Sequence, residues 1–217
     1  MSLGYNLDLT IVVFPAFIIG MVFIYKKSHR VVGDFLFGLA FLFWSLVMLS
    51  SVGRDMDLAH NADLVSFFAS FDTDNYLTIL AFLAAGTIIT CIVQSSAAVM
   101  AITILLCSTG VLPIYMGIAL VMGENIGTTA TANLAALGAG TEARRAALAH
   151  LLFNVFGVIW VLAVFYPFVN MVCGIVGYDP SMMGHTERIP VVLAMFHTCF
   201  NILNTALLIG FIPQMEQ

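Results

Sequence analysis

The stretch that decides the fold runs from residue 76 to residue 107, YLTILAFLAAGTIITCIVQSSAAVMAITILLC, and it carries no charged side chain. As one straight α-helix it would be about 48 Å long, whereas the hydrocarbon core of a bilayer is about 30 Å thick. The segment must therefore break or turn back. Its polar cluster is Gln94-Ser95-Ser96, near the middle, so we predict two helices joined there.

A second overlong apolar segment follows, from Val111 to Gly138. Its centre is the polar run Gly123-Glu124-Asn125-Ile126-Gly127-Thr128-Thr129. Irregular backbone inside a bilayer is tolerated only where it is buried in protein or lines a water-filled site. We predict a helix broken at this run, and a functional reason for both interruptions.

Composition defines the class of protein. Of 217 residues, 61% are hydrophobic and 9% charged, whereas about a quarter of a soluble domain is charged. A net charge of −5 argues against a nucleic-acid partner. The sequence has no nucleophile elbow, HExxH or Walker motif, so we expect no enzyme and no catalytic residue. Cys91, Cys107, Cys173 and Cys199 all lie in apolar runs and are expected to be small buried hydrophobes.

Apolar runs predict an all-α, polytopic integral membrane protein with about five spanning helices and one re-entrant hairpin. The runs are 9–25, 31–52, 76–107, 111–138, 146–177 (bent near Pro167) and 189–212. They group into two first transmembrane helices within 1–52, an extracytoplasmic acidic loop with a surface helix at 53–75, and the hairpin, broken helix and last two helices at 76–217. The Met1-Ser2-Leu3 start would suit a fragment of a longer chain.

Basic residues set the predicted topology. Lys26, Lys27 and Arg30 mark one loop as cytoplasmic and Arg144-Arg145 mark another, by the positive-inside rule. Both loops lie inside only if the segment 76–107 enters and leaves on one face. The sequence therefore favours a re-entrant hairpin.

The two polar clusters supply hard, neutral oxygen ligands. These come from Gln94, Ser95, Ser96, Asn125, Thr128 and Thr129, and they suit a small cation such as Na⁺. Half-helix N-termini in such breaks also present free N–H groups to anions. The alternative is that small polar residues merely let helices pack closely. Glu124 would either cap a half-helix that begins after it or bind a cation or proton.

Two His-x-x-x-Asn pairs, His150 with Asn154 and His197 with Asn201, each lie on one helix face. Interhelical hydrogen bonding is the simpler interpretation of these residues, and a supporting role at the site is the other. A metal site is not expected at these residues, because no nearby carboxylate or thiolate completes the ligand set.

The motifs together resemble a known family. Gln94-Ser95-Ser96-Ala97-Ala98, the run from Gly123 to Thr131, the run from Ala143 to Asn154, and Phe196-His197-Thr198 with Phe200-Asn201 resemble, in order and spacing, the bacterial branch of the type II sodium–phosphate cotransporters. That family is built from two inverted repeats, each with a QSSS-type re-entrant hairpin and a following GxNIGTT segment. This chain resembles one repeat, most closely the second.

The resemblance implies sodium-coupled phosphate transport across the cell membrane. Gln94, Ser95 and Ser96 would contact Na⁺ or phosphate, and Asn125, Thr128 and Thr129 would add oxygens. Na⁺ is the coupling ion, and no other cofactor is expected. Ala97 stands where the family usually has a third serine, so one hydroxyl is missing.

One hairpin forms half of such a site. The second hairpin would come from another repeat on a longer chain or from another copy of this chain. The alternatives are a membrane scaffold or sensor subunit that does not transport, and proton-coupled phosphate export.

Overall fold

The computed structural model describes residues 9–26, 29–180 and 188–211. Met1 to Leu3, Lys27 and position 212, which entered the predictions above, lie outside them. The described residues contain helices and no strand. The α-helices are α1 (Leu9–Tyr25), α2 (Arg30–Asp55), α3 (Ala62–Ala69), α4 (Tyr76–Val93), α5 (Ser96–Ser108), α6 (Ile114–Ala136), α7 (Thr141–Ala163), α8 (Phe165–Val176) and α9 (Ile189–Leu208).

The all-α, membrane-spanning class is confirmed. Within the described residues, four helices are long and apolar enough to cross a bilayer: Arg30–Leu49 within α2, α4, α7, and Ile189–Phe211. Three further apolar helices are shorter, Ile11–Tyr25, α5 and α8. Helix α6 has the length, about 34 Å, but the polar residues in its middle lower its hydropathy.

The chain divides into two compact units, residues 1–57 and 58–217. The first is the pair α1 and α2, which pack antiparallel. Phe17 makes edge-on ring contacts with Phe37 and Phe41, and Phe14 makes one with Trp44. Close approach of the two backbones requires a glycine at Gly33, because a Cβ there would lie 2.8 Å from the Gly20 carbonyl oxygen.

The second unit begins with the acidic segment. The short helix predicted near 64–71 forms as α3, with Asn61 as its N-cap: the Asn61 side chain accepts a hydrogen bond from Leu64 N–H. Phe71 of this segment packs edge-on against Phe82 of α4, with ring centroids 5.3 Å apart. Asn75 caps α4 in turn, accepting from Leu77 N–H at 2.9 Å.

Helices α4 and α6 run parallel and are in direct contact. Helix α5 connects them in the chain and runs in the opposite direction. Thr87 Oγ1 donates to the Gly123 carbonyl at 3.1 Å, and the Cys91 thiol lies 3.7 Å from the Gly127 carbonyl. Both pairs are 36 residues apart in sequence, so the two helices keep one register. Helix α5 is antiparallel to α6, since Thr103 bonds to Glu124 while Cys107 lies against Gly117.

The core of this unit surrounds the first half of α6, where Met116, Ile118, Ala119, Val121 and Met122 are buried. An aromatic cluster closes one end of the unit. The Tyr166 ring makes edge-to-face contacts with Tyr76 and Tyr115, and its hydroxyl donates to the Thr73 carbonyl. The acidic segment and the start of α6 therefore lie at the same end of the unit.

The bend predicted near Pro167 occurs at Val164, three residues earlier. Proline has no N–H and its ring clashes with the carbonyl four residues before it, so the helix ends before Pro167 and α8 begins anew. The Trp160 and Phe168 rings then meet at 5.4 Å, which a continuous helix would not allow for residues eight apart.

The break predicted at Gly123–Thr129 is absent, and that prediction was wrong: α6 is continuous from Ile114 to Ala136. Two features remove the reason for a break. Residues at both ends of the apolar segment lie outside the helix, which brings its length close to the bilayer thickness. The threonine hydroxyls bond to carbonyls three or four residues earlier, so these side chains are satisfied within the helix.

Candidate functional site

The junction between α4 and α5 is built at the predicted cluster. Helix α4 ends at Val93, and Gln94 follows in the left-handed conformation (φ 57°, ψ 25°), its N–H donating to the Thr90 carbonyl at 2.8 Å. Ser95 is the N-cap of α5: its hydroxyl oxygen accepts a hydrogen bond from Ala98 N–H at 3.3 Å. The chain thus reverses within two residues.

The tip of this hairpin is open. Gln94 is exposed, and Ser95 and Ser96 are half-buried. The first N–H groups of α5 and the last carbonyls of α4 have no partners within their own helices. A partial positive and a partial negative helix end therefore lie side by side, together with one amide and two hydroxyls. This combination can bind an anion and a small cation at neighbouring points.

The hairpin tip does not reach the level at which α6 ends. The constant separation of 36 residues between α4 and α6 places Gln94 level with Ala130, six residues before α6 ends. Six residues of α-helix correspond to about 9 Å. The polar tip is therefore flanked by helix rather than standing beyond it.

A line of polar side chains on α6 leads from the interior towards the tip. Glu124, Thr128 and Thr131 are spaced i, i+4, i+7 and share one face. Thr128 Oγ1 donates to the Glu124 carbonyl at 2.8 Å, and Thr131 Oγ1 donates to the Thr128 carbonyl at 2.9 Å. Because α5 is antiparallel and Thr103 meets Glu124, Ser96, seven residues before Thr103, lies level with Thr131.

The structure does not bring all six predicted site residues to one face. Asn125 and Thr129 share a face of α6 that is turned by about 100° from Glu124 and Thr128. Thr129 is fully buried and donates to the Ile126 carbonyl at 2.7 Å. The Asn125 side-chain nitrogen is buried without a hydrogen-bond partner in the described part of the chain.

Glu124 is not a helix cap, and that alternative is excluded. No half-helix begins after it, because α6 is continuous. Its side chain is buried, and one carboxyl oxygen, Oε1, accepts a hydrogen bond from Thr103 Oγ1 at 3.2 Å. The other oxygen, Oε2, has no partner among the described residues.

The histidine–asparagine pairs form local hydrogen bonds rather than the interhelical ones expected. The Asn154 amide donates to the His150 carbonyl at 3.1 Å, and the Asn201 amide donates to the His197 carbonyl at 2.8 Å. Each bond joins two residues of the same helix, α7 for Asn154 and α9 for Asn201, because residues four apart lie on the same helix face. His150 is exposed and His197 is half-buried.

Sequence reasoning missed Thr90, Thr103 and Thr131. The i, i+4, i+7 spacing that extends from Glu124 could have indicated Thr131. Nothing in the sequence indicates Thr90 or Thr103, because only the packing of α4 and α5 on α6 makes them neighbours of the polar residues. Within the described ranges no three His, Cys, Asp or Glu side chains form a metal site, so a cation would depend on oxygens of other kinds.

These features define a polytopic helical membrane protein with a polar junction between two of its helices. A family model described as Na⁺/Pi-cotransporter matches residues 58–177, more than half of the chain. The chain belongs to this Na⁺/Pi-cotransporter family, as its resemblance predicted. The match begins at the first residue of the second compact unit.

A relative, described as the uncharacterized protein YqeW of Bacillus subtilis (strain 168), is 34% identical over 131 residues. The alignment covers 59% of this chain and 38% of YqeW. The chain thus spans less than two fifths of the length of this relative. No solved structure matches the chain significantly.

Proposed function

We propose that this protein takes part in sodium-coupled transport of inorganic phosphate across the cell membrane, with the α4–α5 hairpin as half of the substrate site. The hairpin is re-entrant, and its tip holds the anion near the N-terminus of α5. Gln94, Ser95 and Ser96 contact the substrate or Na⁺, and Thr128 lines the approach from α6. Membership of the Na⁺/Pi-cotransporter family supports the class of substrate.

One observation carries the role of the tip. Gln94 adopts positive φ, a conformation that glycine occupies without strain and other residues rarely adopt. At such a position a glutamine gains nothing for its backbone over glycine, so its side chain is the feature to explain. That side chain is exposed at the helix junction, where an amide can both donate and accept hydrogen bonds.

Charge balance supports coupling to a cation, and the family supports Na⁺ as that cation. The basic residues whose exposure is described, Lys26, Arg30, Arg144, Arg145 and Arg188, are all exposed, and none lies at the hairpin tip. Moving one elementary charge across a membrane potential involves about 2.3 kcal/mol per 100 mV. A site that holds phosphate with N–H groups and hydroxyls therefore needs co-transported cations to neutralise the anion.

The second half of the site is a second hairpin. It comes from another repeat on a longer chain or from a second copy of this chain in inverted orientation. In either case, oxygens from the facing hairpin would replace the hydroxyl that is missing at Ala97. The greater length of YqeW is compatible with the first source.

The proposal is tested by uptake of labelled phosphate into liposomes that contain the purified protein, under an inward Na⁺ gradient. We expect uptake with Na⁺ that falls to the leak level when K⁺ replaces Na⁺. Gln94→Ala should lower uptake at least about tenfold, which corresponds to the loss of one substrate interaction of about 1.4 kcal/mol.

Two matched variants separate function from folding. Gln94→Gly removes the amide but relieves the positive φ, so it should lose uptake while its melting temperature stays equal to or above that of the native protein. Thr109→Ala alters a hydroxyl at the opposite end of α5, where it bonds only to the Leu105 and Leu106 carbonyls, and should keep uptake. Full uptake by Gln94→Gly would refute the role of the tip, and uptake without Na⁺ would refute the coupling.

A further inference from the structure

A second polar site lies deeper in the bundle than the hairpin tip, where α4, α5 and α6 converge on Glu124. Each helix contributes one side chain that is almost completely buried: Thr90 is 1% exposed, Thr103 is 2% and Glu124 is 2%. The hairpin tip does not require any of them. A carboxyl group at this depth therefore needs a separate explanation.

The carboxyl group is only half satisfied. Thr103 Oγ1 donates to Oε1 at 3.2 Å, while Oε2 is buried and has no hydrogen-bond partner among the described residues. Thr90 Oγ1 is also buried without a partner there. An unsatisfied polar atom in an apolar interior destabilises a protein by several kcal/mol, and these two belong to adjacent helices.

Thr90 and Glu124, which carry the two unsatisfied oxygens, lie at a similar height along the bundle. Thr90 packs against Gly127: a Cβ added to Gly127 would lie 2.6 Å from Thr90 Cβ. Gly127 is three residues after Glu124, which is less than one turn of α6. The two unpartnered oxygens thus flank the same turn, where α4 and α5 both contact α6.

Glu124 also has no basic neighbour. None of the ion pairs or hydrogen bonds described for Glu124 involves a basic side chain, and its described side-chain partner is the Thr103 hydroxyl. An unpaired carboxylate inside a membrane is strongly unfavourable. The charge must be neutralised either by a bound cation or by a proton.

The hydrogen-bond pattern favours a cation. A proton on Oε2 would neutralise the charge but would leave Thr90 Oγ1 without a partner, because no hydrogen bond links these two oxygens. A Na⁺ ion instead takes several hard oxygen ligands at once, and one carboxylate oxygen with two hydroxyl oxygens is such a set. We propose that Glu124, Thr103 and Thr90 hold a monovalent cation, Na⁺, at this junction of α4, α5 and α6.

This site is independent of whether the hairpin tip binds phosphate. A ligand that binds only the native state raises the melting temperature as its concentration increases. The test is thermal unfolding of the purified protein without phosphate, with NaCl replaced stepwise by choline chloride at constant ionic strength. We expect the melting temperature of the native protein to rise with Na⁺ concentration.

Variants assign that response to the deeper site. Glu124→Gln, which keeps size and removes the charge, should abolish the Na⁺ response. Gln94→Ala alters only the hairpin tip and should keep it. If Glu124→Gln does not fold, Thr103→Val and Thr90→Val retain the carboxylate, and each should raise the Na⁺ concentration needed for half of the response about tenfold.

Three outcomes would overturn the proposal. A Na⁺ response that survives in Glu124→Gln would place the cation elsewhere. A native protein that does not respond to Na⁺, with Glu124→Gln equally stable, would show that Glu124 is a neutral acid. Loss of the response in Gln94→Ala but not in the threonine variants would assign the ion to the hairpin tip.

Discussion

Asn201 and Asn204 are three residues apart on α9 and have different roles. Asn154 and Asn201 each donate to the carbonyl four residues earlier in their own helix. Asn204 is fully buried and bridges two helices instead: its amide donates to the Phe153 carbonyl at 2.9 Å, and its oxygen accepts from Trp160 Nε1 at 3.3 Å. Asn204 joins α9 to α7, and its neighbour one turn earlier does not.

We therefore predict that Asn204→Ala destabilises the protein by about 1–2 kcal/mol, because it removes the Asn204 partner of the Phe153 carbonyl and of the Trp160 indole N–H, both of which are partly buried. Asn201→Ala is the matched control on the same helix. It should change stability by less than about 0.5 kcal/mol, since only a local bond is lost. Reversible unfolding in mixed detergent measures both values, and equal losses would contradict the bridging role.

At the scale of helices, glycine determines how closely α4 and α6 pack. A Cβ at Gly86 would collide with Leu120 backbone, and one at Gly123 would collide with the Leu83 carbonyl. A Cβ at Gly127 would lie 2.7 Å from the Thr87 carbonyl oxygen. This close contact explains why the GxxxG spacing of Gly123 and Gly127 accompanies a continuous helix. The glycines serve packing, while Glu124 beside them does not.

Gly123→Val should accordingly destabilise the protein by about 1–3 kcal/mol, the range for overpacking a tight interface, and should separate α4 from α6. Gly174→Ala in α8 provides the comparison, because a Cβ there meets nothing within 4 Å. It should leave stability unchanged or raise it by up to about 1 kcal/mol. Thermal unfolding with helicity as the readout checks both variants, and similar behaviour of the two would refute the packing argument.

At the scale of the whole molecule, the parallel course of α4 and α6 bears on topology. The segment before α4 and the start of α6 lie at one end of the second unit, where Tyr166 contacts Thr73, Tyr76 and Tyr115. Arg144 lies at the other end, where its guanidinium donates to the Ala136 and Leu137 carbonyls. Within this unit, the acidic segment and the basic start of α7 are therefore on opposite sides.

We expect His29→Cys and Gly140→Cys to be labelled from the cytoplasmic side and Asp72→Cys from the outside. The positive-inside rule requires this arrangement of the basic segments around 26–30 and 140–145. A membrane-impermeant maleimide, applied to intact cells and to inverted vesicles, measures it in a background without the four native cysteines. Labelling of residues 29 and 140 from opposite sides would disprove the predicted topology.

The sequence alone was sufficient for the class of protein and for the place of the hairpin. An apolar segment too long for a bilayer, with one polar cluster at its centre, must turn at that cluster, and α4 and α5 meet at Gln94-Ser95. Hydropathy and length are local properties, so they are readable without coordinates. The same argument failed for α6, because internal threonine hydrogen bonds and glycine packing keep the helix continuous through a polar run that local hydropathy treats as a break.

Only the tertiary structure decided which polar residues are neighbours. The register of α4 against α6 and the antiparallel course of α5 bring Thr90 and Thr103 to Glu124 and turn Asn125 and Thr129 towards another face. Those relationships depend on contacts between residues that are 21 to 36 positions apart, and no local pattern in the chain encodes them. The sequence therefore determines that this protein has a polar hairpin in a membrane, and packing determines where its buried carboxylate meets its oxygens.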